Sequence, residues 1–228
     1  MKSIWENRWF SIPVVLFFFT GLLLAWQVPY GDEILYFNAF RREPLNAFFR
    51  YATYLGEIHA YVIAGVAALF WRFRYTVLIA LTGLLTLPTV YYIKESFAVD
   101  RPITFFRNQD TEVPVITIPG VELNIGQTSF PSGHTTGAFA LFSTLTLIAG
   151  KKRPRLGLPF ALLAILTGLS RVFLVQHFLV DVLAGGLLGL AIGWLVWQIR
   201  GTGFFQNLRF LDGSLLPRND TAEMAENQ

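Results

Sequence analysis

Residues Met1–Trp26 read MKSIWENRWFSIPVVLFFFTGLLLAW, a short polar lead followed by an apolar run of about twenty residues, the length that crosses a ~30 Å hydrocarbon core. No small-x-small cleavage site follows the run, so it reads as a retained first span and not as a secretory leader. The rest of the chain has the same character. Of 228 residues, 54 % are hydrophobic, 14 % are charged and 22 are phenylalanine, which places the composition outside that of a soluble domain and inside that of a membrane protein. Cysteine is absent, which excludes disulfides, thiolate chemistry and cysteine metal sites and leaves the redox compartment unread. The formal charge of +3 is modest, and the basic residues cluster beside apolar runs, a pattern of membrane orientation and not of a nucleic-acid groove.

Working outward, apolar runs recur at 10–28, 60–71, 75–93, 135–150, 156–169 and 182–199. They predict an all-α integral membrane bundle of six transmembrane helices, several of them short enough to borrow polar flanks. Lys2 and Arg8 precede the first run, Arg72 and Arg74 join the second to the third, and Lys151, Lys152, Arg153 and Arg155 join the fourth to the fifth. By the excess of Lys and Arg on cytoplasmic loops, those sides and both termini are expected in the cytoplasm, with the alternate loops outside. The first outer loop, residues 30–57, mixes apolar residues with charges and is broken at Pro44, which suits interfacial helices. The second, residues 98–130, holds EVPVITIPGVELNIG, two β-branched runs about Pro119-Gly120 that predict a short hairpin. Residues 1–200 form one domain with its motif region at 94–181, and residues 201–228 are expected as a cytoplasmic tail, partly disordered.

Ionisable side chains at membrane depth are costly, and here they gather in three places. In KESFAVDRP, if the third helix continues past Lys94, Arg101 lies two turns on along the same face, and two cations on one face suggest an anion. In SFPSGHTT, Ser129–Thr136, Ser132 is a natural N-cap before a helical run whose first backbone N–H groups are free donors. Gly133 lets a ligand oxygen approach the backbone, and His134 stands beside it, placed to deliver a proton. In SRVFLVQHFLVD, His177 and Asp181 are four apart on one helical face, so the carboxylate can hold one imidazole nitrogen and free the other. Arg171 is off that face on a continuous helix, and a turn near 174–176 is expected to bring its guanidinium round to grip phosphate oxygens. Glu57, Thr104, Arg107 and Gln127 belong to no motif and are left outside the site, and His59 is read as an interfacial residue.

The series Lys94-x6-Arg101-Pro102, Pro131-Ser132-Gly133-His134 and Ser170-Arg171-x5-His177-x3-Asp181 resembles the type 2 phosphatidic acid phosphatase superfamily, which also holds bacterial acid phosphatases and vanadium haloperoxidases. The three motifs occur in order, without substitution at the positions that matter, over about two fifths of the chain. The resemblance implies a reaction that needs neither metal nor cofactor. His177 attacks phosphorus to give a phosphohistidine, His134 protonates the departing oxygen, Asp181 orients His177, and water completes hydrolysis. Lys94, Arg101, Ser132, Gly133 and Arg171 would bind the phosphoryl oxygens.

Six spans with these motifs lead to a membrane lipid phosphate phosphatase whose partners are the bilayer and a phosphorylated lipid, with phosphatidate, phosphatidylglycerophosphate, undecaprenyl diphosphate and lipid A phosphates equally compatible. The alternative is a phosphotransferase that passes the group to an acceptor lipid or glycan. A haloperoxidase is disfavoured by the spans, and a transporter that merely kept the anion site is the non-enzymatic contrast. From the resemblance to bacterial members, a bacterial inner membrane with an extracytoplasmic site is expected; oligomeric state is not readable.

Overall fold

The structure is a computed structural model describing residues 4–109 and 114–216. Among these, all regular structure is helical: α1 (Arg8–Gln27), α2 (Asp32–Tyr36), α3 (Leu45–Ala52), α4 (Ile58–Leu69), α5 (Phe73–Phe97), α6 (Pro102–Asn108), α7 (Gly133–Ala149), α8 (Gly157–Phe173), α9 (Leu179–Ile199) and α10 (Gly203–Asn207). A helix stands at each of the six apolar runs. Four segments are long and apolar enough to cross a membrane: Arg8–Gln27, Phe73–Asn108, Pro154–Phe173 and Leu179–Ile199. Leu45–Gly56 and Ile58–Leu69, bent by 58° at Glu57, make a fifth if they cross as one broken span. The expected count of six is thus not reached by length and composition alone, because α4 and α7 are short. The protein is an integral membrane protein by these helices.

Local chemistry explains where the helices start and stop. Asn7 caps α1, its Oδ1 accepting the Trp9 N–H at 3.1 Å, and the helix ends before Pro29. In α5, Thr82 and Thr86 hide their hydroxyls on their own helix, on the Leu78 and Thr82 carbonyls, each at 2.8 Å. Polar residues thereby enter an apolar layer without orphaned donors.

The middle of the bundle is α7. Twelve of its seventeen residues are buried, so it is wrapped by the other helices and does not present a lipid-facing side along its length. It meets α9 along Gly185, Gly189 and Gly193, a small residue every fourth position. A Cβ on Gly185 would lie 2.6 Å from the Ser132 carbonyl oxygen, and one on Gly189 or Gly193 would strike the Thr136 carbonyl or the Ser143 hydroxyl. The helix axes come this close only because those side chains are missing. On the opposite side, Gly56 backs onto the His134 carbonyl, and the Tyr61 hydroxyl donates to the Gly137 carbonyl at 2.8 Å. These contacts hold the first turn of α7 from both flanks.

Several expectations are corrected. The hairpin about Pro119-Gly120 is not formed: residues 114–130 contain no strand. Side chains of other segments take its backbone groups instead. Asn38 bridges the Pro114 carbonyl and the Ile116 N–H, Arg50 donates to the Pro119 carbonyl, and Gln176 donates to the Glu122 carbonyl. A partner strand would have competed with these bonds. Lys94 and Arg101 do not share a helix face, because α5 stops at Phe97 and Ala98 turns the chain in a left-handed conformation with φ 44°. The first outer loop does form short helices, with Pro44 ahead of α3, yet it also packs inward. Arg41 is buried and donates to the carbonyls of Phe173 (2.8 Å) and Ile34 (2.9 Å), closing the end of α8.

Residues 201–216 pack back against the start of α5. Phe205 and Leu211 are buried, and Arg74 reaches Asp212 at 3.1 Å and the Phe205 carbonyl at 3.0 Å. The part of the tail expected to be disordered, residues 217–228, lies outside the described residues.

Candidate active site

Four helix ends meet at one end of the bundle: the last turns of α5 and α8 and the first turns of α7 and α9. The α8 to α9 connection makes the sharpest turn. After Phe173 the chain reverses through Val175 at φ 59°, and the N–H groups of Gln176 and His177 both donate to the Arg171 carbonyl, at 2.9 and 3.2 Å. This is the turn expected near 174–176, and it ties the backbone of His177 to that of Arg171. His177 itself precedes α9, so its pairing with Asp181 runs through the helix cap and not along a helix face.

The Asp181 carboxylate does three things with one oxygen. Its Oδ2 accepts the Phe178 N–H at 3.0 Å, accepts the Ser129 hydroxyl at 2.5 Å, and lies 3.4 Å from His177 Nδ1. On the other side of the ring, Arg101 Nη1 stands 3.2 Å from His177 Nε2. Guanidinium groups only donate, so this contact requires a bare Nε2 and places the ring proton on Nδ1, toward Asp181. The imidazole is therefore neutral, with its lone pair facing the cations. Burial, then the charges of Arg101, Arg171 and Lys94, hold the pKa of His177 well below its ordinary value.

Arg101 faces that lone pair, and the charges of Arg171 and Lys94 also act on the ring. Lys94 donates to the carbonyls of Thr128 and Ser129, and Arg101 Nε donates to Thr128 Oγ1 at 3.3 Å, so the two converge on one loop despite the turn at Ala98. Arg171 is buried, donates to Thr53 Oγ1 at 2.5 Å, and keeps its Nε without a hydrogen-bond partner. A buried guanidinium with an unused donor is built for an oxyanion.

Ser132 caps α7 as expected: its Oγ accepts the Thr135 N–H at 3.4 Å, and its own N–H donates to the Asp181 carbonyl at 3.0 Å, tying the two helix starts together. Gly133 opens α7, and a Cβ there would meet nothing of the protein closer than Val90 Cγ1 at 3.4 Å. Packing alone does not demand glycine at 133. His134 follows, part-buried, with Nε2 at 3.1 Å from Glu57 Oε1, while Glu57 Oε2 lies 3.6 Å from the exposed His59.

The structure thus gathers all eight expected residues at one end, and adds four that sequence reasoning left out. Glu57 sits on His134, Ser129 on Asp181, Thr53 on Arg171, and Gln176 lends its carbonyl to Arg101 at 3.0 Å. Ser129 and Gln176 lie inside the quoted stretches SFPSGHTT and SRVFLVQHFLVD, whereas Thr53 and Glu57 lie far from both in sequence. Thr104, set aside with Glu57, accepts the Gly126 N–H at 2.9 Å and serves the loop.

The family model of the PAP2 superfamily matches residues 58–204, well over half the chain. The chain belongs to the PAP2 superfamily. Within it, the chain is similar to undecaprenyl-diphosphatase BcrC of Bacillus subtilis (strain 168), at 40 % identity over 70 residues, 31 % of this chain and 34 % of that protein. The match thus spans about a third of this relative's length. Among solved structures, LpxE from Aquifex aeolicus superposes with a TM-score of 0.57 at 24 % identity, over 73 % of this chain and 93 % of that one. The transmembrane PAP2 type phosphatidylglycerolphosphate phosphatase from Bacillus subtilis does so with 0.52 at 24 % identity, over 83 % and 96 %. The PAP2 fold of membrane phosphatases is therefore the fold of this chain.

Proposed function

We propose that this PAP2 protein is a membrane lipid phosphate phosphatase acting through a phosphohistidine on His177. One observation carries the reading: the Nε2 of a buried, neutral His177 faces Arg101 while Asp181 holds its Nδ1. A nucleophile so prepared has its lone pair aimed into a cluster of cations that would seat a phosphoryl group.

In the proposed reaction, Lys94, Arg101, Arg171, the Ser132 hydroxyl and the backbone N–H groups at Gly133 take the three phosphoryl oxygens, replacing their present partners. The Nε2 lone pair attacks phosphorus in line with the ester oxygen, and the bond from phosphorus to that oxygen breaks. His134 gives its proton to the leaving oxygen. As the ring of His177 becomes a phosphorylated cation, the Asp181 carboxylate opposite Nδ1–H stabilises the charge. Water then attacks phosphorus, His134 takes its proton, the N–P bond breaks, and inorganic phosphate departs. No residue in this sequence of steps requires a metal.

The substrate class rests on placement. The site lies at the opposite end of α7 from the basic turns at Arg72–Arg74 and Lys151–Arg155, and the Lys and Arg asymmetry supports a reading in which it faces the extracytoplasmic side, with the termini in the cytoplasm and six helices in the bilayer. Its substrates are lipids with a terminal phosphate; undecaprenyl diphosphate and phosphatidylglycerolphosphate, named for two of the similar proteins, fit that description, as do phosphatidate and lipid A phosphates.

The test is phosphate release from purified protein in detergent with EDTA across those lipids, comparing wild type with His177→Ala. Release that resists EDTA and vanishes in the variant supports the reading. Release that persists without His177, or that rises only when an acceptor lipid is supplied, overturns hydrolysis through this nucleophile.

A further inference from the structure

At the far end of the bundle from His177 lies a cavity of about 630 Å³ that the reaction does not use. Its floor is apolar, formed by Ala64 and Ala68 of α4, Ile79 of α5, and Leu145 and Ile148 of α7. Small side chains on α4 create the space. At its rim stand three cations, Arg72, Lys152 and Arg153, from the two turns that join α4 to α5 and α7 to α8. None of the three forms an ion pair among the described residues, and no carboxylate lines the cavity. The Arg153 guanidinium lies 4.7 Å over the Trp71 ring, which fixes it at the mouth.

We infer that this cavity binds an anionic phospholipid of the cytoplasmic leaflet, with an acyl chain along α4 and the phosphodiester against Arg72, Lys152 and Arg153. An apolar slot ending in unpaired cations at the level of the basic turns has the polarity of such a lipid and of few other ligands. Basic pockets between membrane helices on this side favour anionic headgroups. The volume falls in the range of small-molecule sites, roughly 300–1,000 Å³. Access from the bilayer is direct, because the outward face of α4, at Val62, Ile63 and Val66, is exposed. The competing occupant is the chain's own end, since Ser214 and Leu216 also line the cavity. The sequence beyond, PRNDTAEMAENQ, carries acids for the rim but only one large apolar side chain, Met224, for the slot. The lipid matches both halves of the cavity.

The experiment uses Trp71 as the reporter. Purified protein in zwitterionic detergent is titrated with phosphatidylglycerol brominated on its acyl chains, and separately with brominated phosphatidylcholine. Both are diesters without a terminal phosphate, so neither is a substrate for the site at His177. The Trp71 signal is the difference between wild type and Trp71→Phe. Phosphatidylglycerol is expected to quench it at about a tenfold lower mole fraction than phosphatidylcholine, the scale of a few cations near an anionic headgroup. The combined Arg72→Gln, Lys152→Gln, Arg153→Gln variant should lose that preference. Ala68→Phe, which narrows the slot and leaves the cations, should weaken quenching by both lipids. Normal phosphate release by each variant shows that it is folded. Equal quenching by the two lipids in wild type, or a preference that survives the triple substitution, overturns the proposal. So does a preference that emerges only after removal of residues 217–228, which would assign the cavity to the tail.

Discussion

Glu57 Oε1 and His134 Nε2 lie 3.1 Å apart across 77 positions of sequence. Glu57 stands at the bend between Leu45–Gly56 and Ile58–Leu69, where the chain can approach α7 because Gly56 has no side chain to strike the His134 carbonyl. In the proposed reaction the carboxylate stabilises the ring while it carries the second proton that His134 gives to the leaving group. Glu57→Gln keeps the hydrogen bond but not the charge. It is expected to lower kcat by roughly ten- to a hundredfold, at the low end of general acid–base effects, with KM little changed. A rise in KM at constant kcat would assign Glu57 to substrate binding instead.

Asp181 and Ser129 should separate in magnitude. Asp181→Asn removes the charge opposite His177 Nδ1 and favours the wrong tautomer, and a loss of kcat of about 10³–10⁴-fold is expected. Ser129→Ala leaves the Phe178 N–H bond to Asp181 Oδ2 in place, so its loss should be about tenfold. Rapid alkaline quench with a phosphorus-labelled lipid, followed by counting the base-stable, acid-labile label on the protein, reads both against His177→Ala, which should show no label.

Acid pH provides a separate check. In the proposed reaction His177 attacks as the neutral imidazole, and its pKa is held below the ordinary ~6.5 by burial first and then by the nearby cations. Protonation, and with it loss of activity, therefore begins only well below pH 6.5. In the profile of kcat/KM against pH, the acid limb should lie below that value, and Arg101→Leu, which removes the next largest cause, should move it upward. The stability consequence has the same sign. Below pH 6.5 the unfolded chain takes up a proton on this residue that the folded chain refuses, so stability falls with decreasing pH by about 1.4 kcal/mol per unit until the folded pKa is reached. An acid limb above 6.5 would contradict the cationic setting of the ring.

Two glycines are expected to fail differently. Gly189→Ala places a methyl group against the Thr136 carbonyl in the α7–α9 contact, and should cost about 1–3 kcal/mol of stability, seen as a lower thermal midpoint in detergent. Gly133→Ala meets only Val90 Cγ1 at 3.4 Å and should leave that midpoint unchanged. Its methyl group stands where a phosphoryl oxygen would approach the backbone, so activity should fall by at least tenfold, on the order of the loss of one oxyanion donor. A destabilised Gly133→Ala would show that the glycine serves packing.

Much of this molecule was legible from residue types and spacing. The apolar runs located the principal helices, because in lipid a backbone must satisfy its own hydrogen bonds and a long apolar run can do so only as a helix. Ser132 could be read as a cap and the turn after Phe173 as necessary for Arg171, since both follow from local backbone rules. The family resemblance, carried by Lys94 to Asp181, led to the PAP2 superfamily, and the family match agrees.

Tertiary structure decided what no local rule contains. A strand-like stretch about Pro119-Gly120 lost its hairpin because Asn38, Arg50 and Gln176 reached its backbone first. Lys94 and Arg101 converge through a chain reversal and a shared loop, not through helical periodicity. Glu57, Thr53 and Ser129 became partners of His134, Arg171 and Asp181 only when distant helix ends were brought within hydrogen-bond reach. Helical spacing reports neighbours three and four positions away; a site assembled from four helix ends is set by which small residues let those ends come together.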